Sequence, residues 1–168
     1  LLANRLAIHY MRSRQIDKAN EVLEESFAQG NQNLDSLKLF AQVKLALQDW
    51  EAAEKIAAML QGVEGQEALS QQVLGVVYLG QEKQEGSIEA FKKAHELAPS
   101  ASQPVVALVR TYVANGQVDE AKKFLNSILT VDAGNLVAYT LLGQLSLSEN
   151  QPEQAEKYFL KTIEINPK

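Results

Sequence analysis

Residues 136–167 read LVAYTLLGQLSLSENQPEQAEKYFLKTIEINP. In the first half of this stretch, apolar residues recur at intervals of three and four, which is the spacing of an amphipathic helix. The polar run 148–151 interrupts the pattern, and Pro152 follows at a position that the first turn of a helix tolerates. A second apolar stripe then runs to Asn166-Pro167, which is a helix-stop signal. The stretch predicts two helices joined by a short turn.

The same arrangement recurs with a fixed period of about 34 residues, back to the start of the chain. Steps of 34 residues back from Ala155 reach only small residues: Ala121, Ser87, Ala53 and Ala19. Such a set of equivalent positions, one from each repeat, is called a column below. The same steps back from Leu142 reach large apolar residues: Leu108, Leu74, Phe40 and Leu6. A fixed period of this length is the signature of a repeat array, and small residues let two antiparallel helices approach closely. We therefore predict a single array of five repeats, with the bounds 1–33, 34–67, 68–101, 102–135 and 136–168.

These columns resemble the tetratricopeptide repeat (TPR) over the whole chain. The residues that carry the resemblance in the fifth, third and first repeats are Tyr139, Leu142, Gly143, Ala155, Phe159 and Pro167, then Leu74, Gly75, Tyr78, Phe91, Ala94 and Pro99, then Leu6, Ala7, Tyr10, Ala19 and Leu23. The resemblance implies an all-α fold, a right-handed α-solenoid of five stacked helix-turn-helix repeats with ten antiparallel helices. Val109, Ser87 and Ala57 depart from the family pattern. Because Gly62 and Gly65 weaken the end of the second repeat, we expect a local irregularity where it meets the third.

The resemblance also implies a function, because the first helix of each TPR pair lines a concave groove. We expect a non-catalytic scaffold that binds a peptide or a helix of a partner protein in that groove. The predicted groove residues are Asn4, Ile8, Met11, Arg12, Asp35, Lys38, Gln42, Leu69, Gln72, Val76, Gln103, Val106, Arg110, Val137, Thr140 and Gln144. Apolar anchors among amides and arginines suit a peptide or an amphipathic helix. Four further residues on the same helices have a second interpretation, simple packing between neighbouring helices: Leu45, Leu79, Val113 and Leu147.

The charges are sorted between the two kinds of helix. The chain has a net charge of −5 and a pI near 5.1, which argues against a nucleic-acid partner. The first-helix segments carry five basic residues and two acidic ones, namely Arg5, Arg12, Lys38, Lys44 and Arg110 against Asp35 and Glu149. The rest of the chain carries 11 basic and 19 acidic residues. A partner with acidic residues is therefore favoured on the first helices, unless the acidic second helices only keep the array soluble.

The sequence contains no pattern of residues that indicates catalysis or a bound metal. Cysteine is absent, and His9 and His95 lie in different repeats without a partner at the i, i+4 spacing of a helical metal pair. No apolar stretch approaches the roughly 20 residues of a membrane span. The lysine–asparagine–lysine–arginine clamp with which some TPR proteins bind chaperone tails is also missing, since Lys38 with Gln42 is its nearest approach. We predict no enzyme activity, no cofactor, no metal and no membrane span.

A second class of function stays open, that of a self-assembling structural element. Each repeat leaves an apolar face for the next, so the ends of an uncapped array can stack end to end or form a homodimer. Tyr139, Leu142 and Tyr158 are expected on such an open face. The composition resembles long bacterial TPR arrays, including those of envelope and export complexes. The chain begins without methionine, and we interpret it as a fragment of such a protein, soluble in the bacterial cytoplasm or periplasm, with any signal sequence outside the fragment.

Overall fold

The computed structural model of the protein describes residues 2–167 and folds them into α-helices joined by short turns. Within this range there are ten helices and no β-strand. In chain order they are α1 (Leu2–Arg12), α2 (Ile16–Ala28), α3 (Leu34–Ala46), α4 (Trp50–Gln61), α5 (Glu67–Gly80), α6 (Gln84–Leu97), α7 (Ser102–Ala114), α8 (Val118–Val131), α9 (Leu136–Ser148) and α10 (Pro152–Ile165). The predicted all-α fold of helical pairs is confirmed.

The helices group into two compact units, the first ending at Pro99 and the second beginning at Ser100. In the first unit α1 packs against α2, α3 against α4 and α5 against α6, and α3 also contacts both α1 and α5. In the second unit α7 packs against α8 and α9 against α10, and α9 also contacts α7. Within each unit, the first helices of neighbouring pairs therefore lie side by side. The bounds of the five repeats stay a prediction, because helix pairing does not define where a repeat begins.

One turn conformation recurs inside every helix pair. Its central residue has a positive φ, between 57° and 73°, at five positions that are each one repeat period apart: Arg14, Gln48, Glu82, Gly116 and Asn150. At the end of α3, for example, the amide of Gln48 donates to the carbonyl of Leu45, and the amide of Asp49 donates to that of Lys44. This pair of hydrogen bonds satisfies carbonyls that a helix end leaves open. The same turn conformation thus recurs once in every repeat, although only one of its five central residues is glycine.

The columns of small residues occupy the buried helix crossings. The alanines of the first column, Ala19, Ala53, Ala121 and Ala155, are all buried. Ser87, which replaces alanine in that column, is also buried, and its hydroxyl donates a hydrogen bond to the carbonyl of Gly75 at 2.8 Å. A buried hydroxyl costs little stability once it has such an acceptor. This departure from the family pattern therefore leaves the helix packing intact.

The expected irregularity between the second and third repeats takes the form of a shortened helix. Helix α4 ends at Gln61, which is two residues earlier in its repeat than the ends of α6 and α8 are in theirs. Gly62 follows as its C-cap, and Gly65 has a φ of +75° in the connection to α5. A positive φ at this position favours glycine, because a Cβ atom would crowd the backbone. Gly62 thus caps α4, and Gly65 provides the left-handed turn that leads to α5.

Candidate protein-binding surface

An apolar cleft of about 560 Å³ lies on the surface of the second unit, between the first helices α7 and α9. Its walls are formed by Val106, Val109, Arg110, Val113 and Ala114 from α7 and by Leu136, Val137, Thr140, Leu141, Gln144 and Leu145 from α9. Five of these eleven residues belong to the predicted groove: Val106, Arg110, Val137, Thr140 and Gln144. The structure thus brings most of the groove residues predicted in the second unit into one concave site. The sixth, Gln103, is exposed on α7 and does not line the cleft.

Helical periodicity explains which side chains reach the cleft. On α7, residues 106, 109–110 and 113 recur at three- and four-residue intervals and therefore share one face. On α9, the same spacing joins residues 137, 140–141 and 144–145. Helix α9 carries apolar residues on every side: Leu142 is buried, while Val137 and Leu141 are only half-buried and face the cleft. A helix that is apolar on all sides is normally covered on all sides.

Three polar side chains line the cleft, and two of them are open to solvent. The hydroxyl of Thr140 donates to the carbonyl of Leu136 at 2.8 Å and is thereby satisfied within α9. Arg110 and Gln144 are exposed. Arg110 is the only charged residue of the lining, and it forms no salt bridge with any side chain among residues 2–167. The cleft therefore combines apolar walls with one cation that is available to a ligand.

The first-unit residues of the predicted groove lie on α1, α3 and α5. Exposed among them are Ile8, Arg12, Asp35, Gln42 and Val76, and half-buried are Asn4, Met11, Lys38, Leu69 and Gln72. Asn4 has a structural contact, because its Oδ1 accepts a hydrogen bond from the hydroxyl of Ser36 at 3.1 Å. This bond ties α1 to α3, so Asn4 contributes to helix packing as well as to the surface.

Of the four leucine and valine residues with two interpretations, Leu45 packs against the core of the first unit, whereas the other three are exposed. Leu79, Val113 and Leu147 are exposed, and Val113 is part of the cleft. Leu45 is half-buried on α3. Sequence reasoning missed five cleft residues: Val109, Ala114, Leu136, Leu141 and Leu145. The only signal for the three leucines was the excess of apolar residues on α9 beyond what one buried stripe needs.

Lys44 does not contribute to a basic binding surface, which corrects the predicted charge pattern. Its side chain is buried, and its Nζ lies 2.8 Å from Oε1 of Glu24 and 3.1 Å from Oδ2 of Asp49. Burial by itself would lower the pKa of Lys44, but the hydrogen bonds to the two carboxylates raise it overall. The hydrogen bond from Lys44 is also the main reason why the pKa of Glu24 is lowered. This cation is neutralised inside the first unit.

The acidic count on the first helices also changes. Glu149 lies just beyond α9 and forms a salt bridge with Lys122 of α8, whereas Glu67 begins α5. Without Lys44, the first helices carry four basic and two acidic residues, namely Arg5, Arg12, Lys38 and Arg110 against Asp35 and Glu67. The first helices therefore keep a small positive balance in a chain whose net charge is −5.

The prediction of Leu142 as part of an open face is wrong, because only 1% of it is exposed. Tyr139 and Tyr158 are half-buried and pack together, with ring centroids 6.3 Å apart. Exposed apolar residues of this helix pair are instead Leu147, Leu160, Ile163 and Ile165. The first three line a cleft of about 360 Å³ together with Pro152, Ala155, Glu156 and Phe159. The error arose because Leu142 and Leu147 lie on different faces of α9, and sequence spacing alone did not show which of the two faces is buried.

Two kinds of site are not found among residues 2–167. No three His, Asp or Glu side chains in this range come close enough together to hold a metal ion. In the same range, every helix is too short or too polar to cross a membrane.

Comparison with known proteins identifies relatives in sequence and in fold. Sequence profiles described as tetratricopeptide repeat match residues 78–135 and 136–168, together more than half of the chain. The human protein O-mannosyl-transferase TMTC1 is 28% identical over 95 residues, which cover 56% of this chain and only 11% of that protein. The chain thus spans about a tenth of the length of this curated relative.

Solved structures agree with the fold over almost the whole chain. The thermophilic TPR protein TTC0263 from Thermus thermophilus has a TM-score of 0.66 at 20% identity, and the match covers 99% of this chain and 91% of that one. A protein of nearly identical TPR-like repeats from Podosopora anserina has a TM-score of 0.70 at 19% identity, with 97% and 92% covered. At these identities the likeness concerns the fold alone. The bacterial origin and the compartment stay predictions.

Proposed function

Because the chain belongs to the tetratricopeptide repeat family, whose members are protein-interaction scaffolds, we propose that it binds a peptide or a helix of a partner protein on its first helices. The observation that carries this proposal is the cleft between α7 and α9. It offers apolar walls for an anchoring side chain, and Arg110 and Gln144 stand at the same site for polar groups of the ligand. Anchors that fill pockets supply most of the affinity of a peptide, while polar groups fix its orientation.

The partner that we propose carries acidic residues. In the second unit, Arg110 is the one charged group of the cleft. In the first unit, Arg12 is exposed and Lys38 half-exposed on the corresponding helices. Complementary charge mainly speeds association and excludes wrong partners, so we expect acidic ligands to be preferred and the preference to weaken at high salt.

We propose that the chain acts by binding and not by catalysis. The human relative is named as a transferase, but this chain matches only 11% of its length. That match therefore transfers the repeat architecture and gives no reason to assign a transfer reaction to residues 2–167.

The test is selection of ligands from a random peptide library displayed on phage, followed by calorimetry with the selected peptides. Val106→Glu places a carboxylate in the apolar wall of the cleft, one helical turn before Arg110. It should weaken binding at least about tenfold, because it removes apolar wall and competes with the ligand for the cation. The matched control is Val131→Glu, the same change at an exposed position near the end of the second helix α8.

A corresponding pair tests the first unit. Val76→Glu changes an exposed groove residue of α5, and Leu97→Glu changes an exposed residue at the end of the second helix α6. Binding that survives both Val106→Glu and Val76→Glu, or that is lost in the controls as well, would rule out the first helices as the binding surface.

A second candidate is self-association through the apolar face of α10. It is favoured by the exposure of Leu160 and Ile163 beside the cleft of about 360 Å³. Light scattering over a concentration series tests it, with Leu160→Glu and Ile163→Glu as variants. A molar mass that stays monomeric in the parent protein at all concentrations excludes this candidate.

A further inference from the structure

We infer that the α7–α9 cleft binds one large apolar side chain of the partner together with a neighbouring carboxylate, which pairs with Arg110. The inference rests on the proposed function and specifies the ligand of the same surface. The cleft volume of about 560 Å³ lies within the range of roughly 300–1,000 Å³ that ligand-binding clefts occupy. An aliphatic or aromatic side chain is the group that its walls of valine, leucine and alanine can desolvate.

One residue of the apolar wall on α9, Val137, lies at a position that the repeats do not reserve for apolar residues. That position is occupied by Gln103 in α7, Leu69 in α5 and Asp35 in α3, which lie one, two and three repeat periods earlier. Since the same helix position accepts an amide and a carboxylate elsewhere in the chain, packing of the helix pair does not demand valine there. Val137 and Leu141 are nevertheless apolar and remain half-buried beside the cleft. An apolar ligand would complete their burial.

Arg110, the one charged residue of the cleft, favours a ligand with a negative charge. The guanidinium of Arg110 has no salt-bridge partner among residues 2–167, although six salt bridges are formed elsewhere in that range. A guanidinium offers two parallel donors to a carboxylate and tolerates an apolar surrounding better than an ammonium group does. Recognition of a phosphate group typically uses a cluster of arginines. One arginine beside an apolar wall therefore matches an apolar residue with Asp, Glu or a terminal carboxylate next to it.

Three small probes with the same apolar body test this inference directly: phenylbutyrate, phenylbutanol and phenylbutylamine. Methyl NMR titrations would follow the signals of Val106, Val137 and Leu141. We expect all three probes to shift these methyl signals, with phenylbutyrate bound at least about fivefold more tightly than phenylbutylamine, because only the carboxylate forms charge-assisted hydrogen bonds with Arg110.

Arg110→Gln should make the affinities of the three probes equal within about twofold, because it removes the charge and keeps a polar side chain. The matched control is Arg12→Gln, an exposed arginine of α1 in the first unit, which should leave the preference for the carboxylate unchanged. Val137→Gln introduces the neutral amide found at the equivalent position 103 and should abolish the methyl shifts of Val106 and Leu141 with all three probes.

The outcomes separate this inference from the proposed function. Equal affinities of the three probes for the parent protein, or a preference that persists in Arg110→Gln, would overturn the role of Arg110. The absence of methyl shifts at the cleft would overturn the anchoring site, and both results leave peptide binding on the first helices intact. The proposed function fails if selected peptides bind Val106→Glu and Val76→Glu as tightly as the parent protein, or if binding is also lost in the controls Val131→Glu and Leu97→Glu.

Discussion

Gly143 of α9 lies directly against the ring of Phe159 in α10, so closely that a Cβ atom on the glycine would be 2.6 Å from Cε1 of the ring. The same relationship holds two repeat periods earlier between Gly75 and Phe91, where the distance would be 2.5 Å. Because protein interiors are close-packed, an added side chain must displace the ring or separate the two helices. The glycine and the phenylalanine thus form one packing unit within a helix pair.

Gly143→Leu should therefore lower the free energy of unfolding by about 1–3 kcal/mol or more, the usual cost of overpacking a core. The measurement is urea unfolding followed by circular dichroism. Gly134→Ala is the control, since a Cβ atom there would meet only Asp132 Oδ1, at an ordinary 3.5 Å. An unfolding midpoint for Gly143→Leu equal to that of the parent would contradict the packing of α9 against α10.

A substitution in the turn inside a helix pair should, in contrast, raise the free energy of unfolding. Gln48 has a φ of 57°, in the left-handed region that costs a residue with a side chain about 1–2 kcal/mol, whereas glycine adopts it freely. Gln48→Gly should raise the free energy of unfolding by up to about 1 kcal/mol, because glycine's greater loss of backbone entropy offsets part of the gain. Gly116→Ala at the equivalent position should destabilise by about 1 kcal/mol.

The control for this pair is Ala58→Gly, an exposed position inside α4, which should destabilise by about 1 kcal/mol. Thermal unfolding of the parent protein and of the three variants measures these differences in stability. A loss of stability in Gln48→Gly similar to that of Ala58→Gly would show that the turn does not favour glycine.

These examples show how far the sequence predicts the structure. The glycines and phenylalanines of these pairs were recognised as repeat positions, because steric fit restricts residue size and size recurs with the repeat period; their direct contact was not predicted. The recurring positive-φ position in the turns could not be recognised from the sequence. Arginine, glutamine and glutamate adopt the same backbone conformation there although they share no chemical property that would mark the position. The neutralisation of Lys44 was missed because its salt-bridge partner Glu24 lies in another helix. The cleft was predicted in part, since the rotation of α9 decides whether Leu141 faces the core or the surface.

The buried lysine makes stability depend on pH. The pKa of Glu24 is lowered from its ordinary 4.5, chiefly by the hydrogen bond from Lys44. At Asp49, burial by itself would raise the pKa, but the hydrogen bonds from Lys44 and Ala52 outweigh it and lower the pKa from its ordinary 3.8. A carboxyl group whose pKa is lowered by folding stabilises the protein above its unfolded-state pKa, and this contribution is lost as the pH falls through the folded-state value.

We therefore expect the difference in stability between the parent and Lys44→Met to shrink as the pH falls below 4.5 and then 3.8, the ordinary values for these groups. Urea unfolding at a series of pH values measures it. Lys123→Met is the control, since Lys123 forms an exposed salt bridge with Glu120, away from the Lys44 cluster, and should change stability little at any pH. A constant difference over the acidic range would mean that the three charges do not interact in the folded protein.

The starts of the second helices offer a way to stabilise the protein. Asp49 precedes α4 and accepts a hydrogen bond from the amide of Ala52, whereas Gln117, at the equivalent position before α8, makes no such bond. Gln117→Asp should add a cap and raise the free energy of unfolding by about 0.5–2 kcal/mol. Gln117→Glu carries the same charge on a longer side chain and separates capping from the helix dipole. If thermal unfolding shows equal gains for both variants, the dipole alone is responsible and the cap does not form.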